Sequence, residues 1–141
     1  MIQRVQTIWL LLAAITGFLF TRVPLYLGTP VVGGATEYTS TENLLLFALG
    51  ILGALLALIA VFLFKNRKLQ MKLTAFGILI SVALIALEVY MIDEFGNSNP
   101  TLKTSYSWGS LLPIAMIIFF ILAAVNIRKD EKLVKSLNRL R

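Results

Sequence analysis

At 141 residues the chain has room for one domain. Its 58% hydrophobic and 14% charged residues stand against roughly 45–50% and about 25% in soluble domains, which excludes an ordinary soluble globule. Without Cys or His there are no disulfides, no thiolate or imidazole metal sites and no Cys- or His-based catalytic groups, and the net charge of +6 lies beside apolar runs, where anionic lipid and topology account for it rather than nucleic acid.

The first apolar stretch, TIWLLLAAITGFLF at 7–20, is short for a span unless it takes in Val5 and Val23–Leu27. Arg4 and the length of its core also fit a signal peptide, but no A-x-A-like cleavage site follows promptly, so an uncleaved span over about 5–27 is the better reading. The segment after it, to residue 43, is punctuated by Pro24, Gly28, Pro30, Gly33 and Gly34 while staying apolar. It predicts short extended pieces with turns at Gly28–Pro30 and Gly33–Gly34. Ser40–Glu42 and Asn43 then supply a helix start signal before Leu44.

Uncharged runs at 44–64 and 110–127 and the run at 73–92 reach the roughly 17–25 residues that a spanning helix needs. The chain therefore predicts an all-α integral membrane protein, one domain of four transmembrane helices in two hairpins. Exterior loops cover 28–43 and 93–109, a link covers 65–72, and a basic tail covers 128–141. Pro113 falls in the first turn of the last span, where its missing N–H costs little. Trp9, Tyr106 and Trp108 mark interfaces. Small residues offer packing seams: Ala13 and Gly17 on the first span, Gly50, Gly53, Ala54 and Ala57 on the second, Gly77 and Ser81 on the third. Packing within one bundle is the reading preferred for them, with homo-oligomer contacts as the alternative. The two hairpins show no internal repeat, so an inverted-repeat transporter gains no support.

Orientation follows from the basic residues. Arg4, the link (Lys65, Arg67, Lys68, Lys72) and the tail (Arg128, Lys129, Lys132, Lys135, Arg139, Arg141) put eleven on one side. Arg22 and Lys103 are the two on the other. Both termini are thereby predicted to be cytoplasmic. In the tail, Leu133, Val134, Leu137 and Leu140 fall on one helical stripe, and Glu131 with Lys135 makes an i,i+4 pair of favourable order. A short amphipathic helix results, serving either as an anchored continuation of the last span or as a docking helix.

Glu88 is the one ionisable residue well inside a predicted span, and such a carboxyl is costly enough to be a candidate site. Arg22 is its expected partner, with Tyr26, Tyr106 and Ser107 as other donors. Binding of a proton, cation or small solute and simple interfacial exposure are the alternatives. No nucleophile with a base, no D-x-D cluster and no phosphate loop is present, so no enzyme and no cofactor are expected.

The segments MIQRVQTIWLLLAA (1–14), FKNRKLQMKL (64–73) and IRKDEKLVKSLNRLR (127–141) resemble a family of small four-span bacteroidete inner-membrane proteins, domain of unknown function 4293. The shared residues lie at the basic surface: Gln3, Arg4, Arg67, Lys68, Gln70, Arg128, Lys129, Asp130, Glu131, Arg139 and Arg141. Family members often carry Asp where this chain has Asn138. The resemblance implies four helices with both ends inside a bacterial inner membrane, and it implies no activity. With Gln3, Gln70, Asp130 and Glu131 among the cations, this surface predicts docking. The leading expectation is an accessory or scaffold subunit of an inner-membrane complex, held by anionic headgroups and a membrane-protein partner. The alternative is a small transporter, channel or lipid-binding protein working through Glu88.

Overall fold

A computed structural model describes residues 3–30, 36–98 and 102–139 of the chain. Helix α1 (Gln3–Phe20) leads into strands β1 (Pro24–Pro30) and β2 (Thr36–Thr39), then helices α2 (Leu44–Phe62) and α3 (Arg67–Ser98). Strand β3 (Leu102–Tyr106) and helix α4 (Leu112–Arg139) complete the order, with 3₁₀ turns at Ser40–Glu42 and Trp108–Leu111. Among the described residues, α2, α3 and the stretch Trp108–Leu137 are each long and apolar enough to cross a membrane. The apolar part of α1, Val5–Phe20, is shorter; all 18 residues of α1 rise about 27 Å, just under the roughly 30 Å of a hydrocarbon core.

Four sequence expectations need correction. The fold is not purely helical, because β1 pairs antiparallel with both β2 and β3 in a three-stranded sheet ordered β2-β1-β3. Helix α1 stops at Phe20 and does not run to 27: the amides of Arg22 and Val23 turn back onto Leu19 O, and Pro24 disfavours helical geometry in the residue before it. Gly28–Pro30 lies within β1 and makes no turn, while Gly33–Gly34 falls outside the described residues. The expected link at 65–72 shrinks to residues 63–66, since α3 already begins at Arg67.

Helices α3 and α4 run past their predicted spans because nothing stops them, while α2 ends two residues short of its own, at Phe62. No proline interrupts α3 until Asn99–Pro100, which lies just beyond its end. After Pro113, α4 contains neither Gly nor Pro, so the tail is the continuation of the same helix and not a separate short one. Helix α2 starts where Asn43 caps it, Oδ1 accepting from the amides of Leu45 (2.9 Å) and Leu46 (3.3 Å). Such a cap contributes about 1 kcal/mol.

Helix α1 packs against α2 and α4, and α3 packs against the same two, so the bundle closes in chain order. Small residues set the approach. A methyl on Gly17 would meet Ala54 Cβ at 2.9 Å, and one on Gly77 would drive into the Phe120 ring, which is fully buried. Lipid is as apolar as leucine, so this close packing holds the helices together in place of a hydrophobic drive between them. Outward, Ile8, Ile15, Leu52, Phe76, Leu79 and Ile118 are exposed, an apolar girdle suited to a bilayer.

One core cluster centres on Leu10, Ala57, Met116 and Phe120. The other, built on Phe20, Leu25, Tyr26, Leu46, Leu84 and Ile92, joins the bundle to the sheet. At that sheet end Ser40 Oγ donates to Phe20 O (3.1 Å) and the Ser107 amide donates to Leu25 O (3.0 Å). Gly109 lies so close to Pro24 O that a side chain there would collide with backbone.

Candidate functional site

The basic residues gather at the end of the bundle opposite the sheet. The α2–α3 turn brings Arg67 to α4, where its guanidinium reaches Asp130 Oδ2 at 3.0 Å and also donates to the Asp130 carbonyl (3.4 Å). Deeper in, Gln70 is fully buried. Its Nε2 donates to Ala60 O (2.9 Å), and its Oε1 accepts from Gln6 Nε2 (3.3 Å). Three helices are thus tied by one amide, and a fourth by one ion pair. Gln70, Thr74, Gly77 and Ser81 form a single buried stripe along α3, a helical spacing that could have flagged Gln70 as interior.

This overturns part of the predicted docking surface. Gln70 and Asp130 are internal fasteners and offer nothing to a partner. Arg67 is half-buried and engaged. What remains outward is Lys65, Lys68, Lys72, Arg128, Lys129, Lys132, Lys135 and Arg139, all exposed. Arg4 is described only as part of the α1 backbone, and Arg141 lies outside the described residues. The expected i,i+4 pair forms, Lys135 Nζ to Glu131 Oε1 at 2.9 Å. The hydrogen bond from Lys135 holds the Glu131 carboxyl below its ordinary range, followed by the charge of Lys135 and, after a small opposing desolvation, the charges of Lys68 and Arg67. The same end leaves Leu133, Val134 and Leu137 exposed on α4.

Two open clefts flank α4 here. One, of about 550 Å³, lies between the α2–α3 turn and the α4 tail, with Phe64, Lys65, Lys68, Val134 and Lys135 among its walls. The other, of about 630 Å³, lies between Val5 of α1 and Lys129, Lys132 and Leu133 of α4.

Glu88 stands on α3 between Leu84 and Ile92, inside the cluster beneath the sheet. It is 3% exposed. Its Oε1 is buried without a hydrogen-bond partner, so Tyr26, Tyr106 and Ser107 do not donate to that oxygen. The expected pairing with Arg22 is absent: among the described residues the ion pairs are Arg67–Asp130 and Glu131–Lys135, and Arg22 is exposed. The physical reason is the early end of α1. Arg22 sits in the turn after Phe20 and projects outward, while Glu88 points into the core.

Above Glu88 the sheet aligns Tyr26 opposite both Tyr38 and Tyr106. The Tyr26 ring meets Phe95 and Tyr106 edge-on at 5.9 and 5.6 Å, and Tyr38 packs on Phe95 at 5.1 Å. Burial, and then the charges of Glu42 and Glu94, hold the Tyr38 phenol above its ordinary value of 10.0. Trp9, read as an interface marker, stacks on Phe119 (6.0 Å). The seam residues are occupied within the chain: Gly50 faces Phe20, Gly53 faces Met116, and Ala54, Ala57, Gly77 and Ser81 are buried. Among the described residues no group of three or more His, Cys, Asp or Glu side chains is placed to hold a metal ion.

Apolar helices able to cross a bilayer, a cationic end and a strand-capped end with one buried carboxyl define a helical membrane protein. The chain belongs to the family described as domain of unknown function DUF4293, whose family model matches residues 2–140. No curated protein and no solved structure matches it significantly.

Proposed function

We propose that this protein crosses a bacterial inner membrane four times with both termini in the cytoplasm, and serves there as a non-enzymatic accessory or scaffold subunit. The excess of Lys and Arg at one end supports the orientation. The observation that carries the docking reading is the tail of α4. It leaves the apolar bundle as a continuous helix, with Leu133 47%, Val134 38% and Leu137 65% exposed beside Lys132, Lys135 and Arg139. An apolar stripe edged by cations suits the groove of a membrane-protein partner whose cytoplasmic face is acidic.

The test is a photo-crosslinking residue at Leu137 in the full-length protein in cells. A single membrane-protein adduct, lost when Lys132, Lys135 and Arg139 are changed to Glu, supports docking. Adducts with lipid alone overturn it and leave the tail as an anchor.

A second reading rests on Glu88, buried with one oxygen unpartnered. A proton, cation or small solute bound there would make the protein a transporter, channel or lipid-binding protein. Loss of a growth phenotype's rescue by Glu88→Gln, with membrane levels and assembly unchanged, supports it. Full rescue by Glu88→Gln rules it out.

A further inference from the structure

The cleft at the α2–α3 turn has a chemistry that the docking reading leaves unused. Four cations surround it, and two are already satisfied: Arg67 by Asp130 and Lys135 by Glu131. Lys65 and Lys68 are exposed and make no ion pair among the described residues. Four cations stand against the two carboxylates Asp130 and Glu131, so the concave site keeps an excess of two positive charges. Its remaining wall is Phe64 and Val134, 44% and 38% exposed, together with Asn66 and the Glu131 already held by Lys135. The cleft also sits where the apolar run of α2 ends, at Phe62, which is the depth of the headgroups if α2 spans the bilayer.

A soluble anion would use the lysines and leave Phe64 and Val134 wet. A stretch of lipid tail would use the aromatic ring and leave the lysines unpaired. One molecule satisfies both, a phosphodiester carrying acyl chains. Lysine suits this target, since its ammonium binds phosphate as a compact point charge, and basic pockets at the cytoplasmic side of helix bundles bind such headgroups. We propose that this cleft binds one anionic phospholipid per chain, its phosphate oxygens held by Lys65 and Lys68 and the start of its acyl chains lying against Phe64 and Val134. The cleft shares Val134 and Lys135 with the docking stripe, and the test therefore reads Lys65 and Lys68, which docking by the tail does not use.

The experiment is native mass spectrometry of the full-length protein released from detergent, titrated with phosphatidylglycerol against phosphatidylcholine. The expected result is one phosphatidylglycerol retained in preference to phosphatidylcholine. Affinity should fall by about tenfold or more in Lys65→Gln/Lys68→Gln, with the melting temperature unchanged, since both side chains are exposed. The control variant, Lys72→Gln/Arg128→Gln, removes the same charge elsewhere on that end and should bind as wild type. Equal binding of the two lipids, or equal loss in both variants, would reduce the site to diffuse surface charge and overturn the proposal. Displacement of the lipid by millimolar glycerol 3-phosphate or inorganic phosphate would reassign the cleft to a soluble phosphate compound. Displacement by poly-glutamate, with neither phosphate effective, would reassign it to an acidic protein segment.

Discussion

The two ends of the bundle are fastened by different means. At the basic end, side chains tie the helices: Gln70 joins Gln6 to the Ala60 carbonyl, and Arg67 joins α3 to Asp130 on α4. At the sheet end the ties are mostly backbone, through strand pairing and the bonds onto Phe20 O and Leu25 O. That end contains the buried charge-bearing group that has no ion partner, Glu88. Among the described residues the basic end thus buries a carboxylate in an ion pair, while the sheet end buries one without an ion partner. A pair held for structure should be costly to break, and a lone carboxyl held for structure should be cheap to remove. The two buried carboxylates, Asp130 and Glu88, are therefore expected to respond with opposite sign when the surroundings of one and the side chain of the other are changed.

The largest expected effect is at the pair. Arg67→Ala leaves Asp130 without its cation and should destabilise the bundle by about 3 kcal/mol, the low end for a buried pair because the arginine is partly solvated. Titration with sodium dodecyl sulfate followed by circular dichroism measures it. Arg67→Met with Asp130→Leu should recover most of the loss; failure to recover would mean that the charge itself organises the end.

Next comes the amide. Gln70→Leu strips the Ala60 carbonyl and the Gln6 side chain of their partners at once, for a loss of about 2 kcal/mol. A loss confined to a few tenths in the same titration would show that water reaches this site.

Glu88→Leu reverses the sign. Removing a buried carboxyl with an unpartnered oxygen should stabilise the protein by about 1 kcal/mol. Destabilisation instead would mean that the carboxyl is a structural hydrogen bonder, and the contrast between the two ends would collapse.

The smallest effect is a pH dependence of the sheet. The Tyr38 phenol is held above its ordinary value by burial and then by Glu42 and Glu94. A raised acid contributes its stability in full below the ordinary value of 10.0 and loses it as pH rises through the higher folded value. Amide exchange in β2 should accelerate above that range, and Tyr38→Phe should remove this component of the acceleration.

Much of the fold was legible in one dimension. Long apolar runs mark α2, α3 and α4, broken by charge only at Glu88 of α3, because a helix in hydrocarbon must satisfy its own backbone groups and carry mostly apolar side chains. The Asn43 cap and the Glu131–Lys135 pair are local, each settled within four residues, and local spacing specifies them. The start of β1 was half legible: Pro24 and Gly28 exclude a helix, yet the strand's partners lie ten residues away in β2 and about eighty away in β3, and nothing in the alternation of its own residues names them.

The site was less legible. Glu88 announced itself as a charge among apolar neighbours, but its partner could not be inferred, because Arg22 lies near it only if α1 continues beyond Phe20. Gln70 and Asp130 read as surface in a basic segment, since polarity alone cannot say which side of a helix faces inward. Sequence by itself determined the apolar helices, the concentration of cations at one end and the absence of thiol and imidazole chemistry, all properties that sum over residues irrespective of their partners. Tertiary structure alone decided which polar residues are buried, which cations are already spent on Asp130 and Glu131, and that a sheet closes the other end. Each of those depends on pairings between segments far apart in the chain, which are settled by the geometry of packing and not by the composition of either segment.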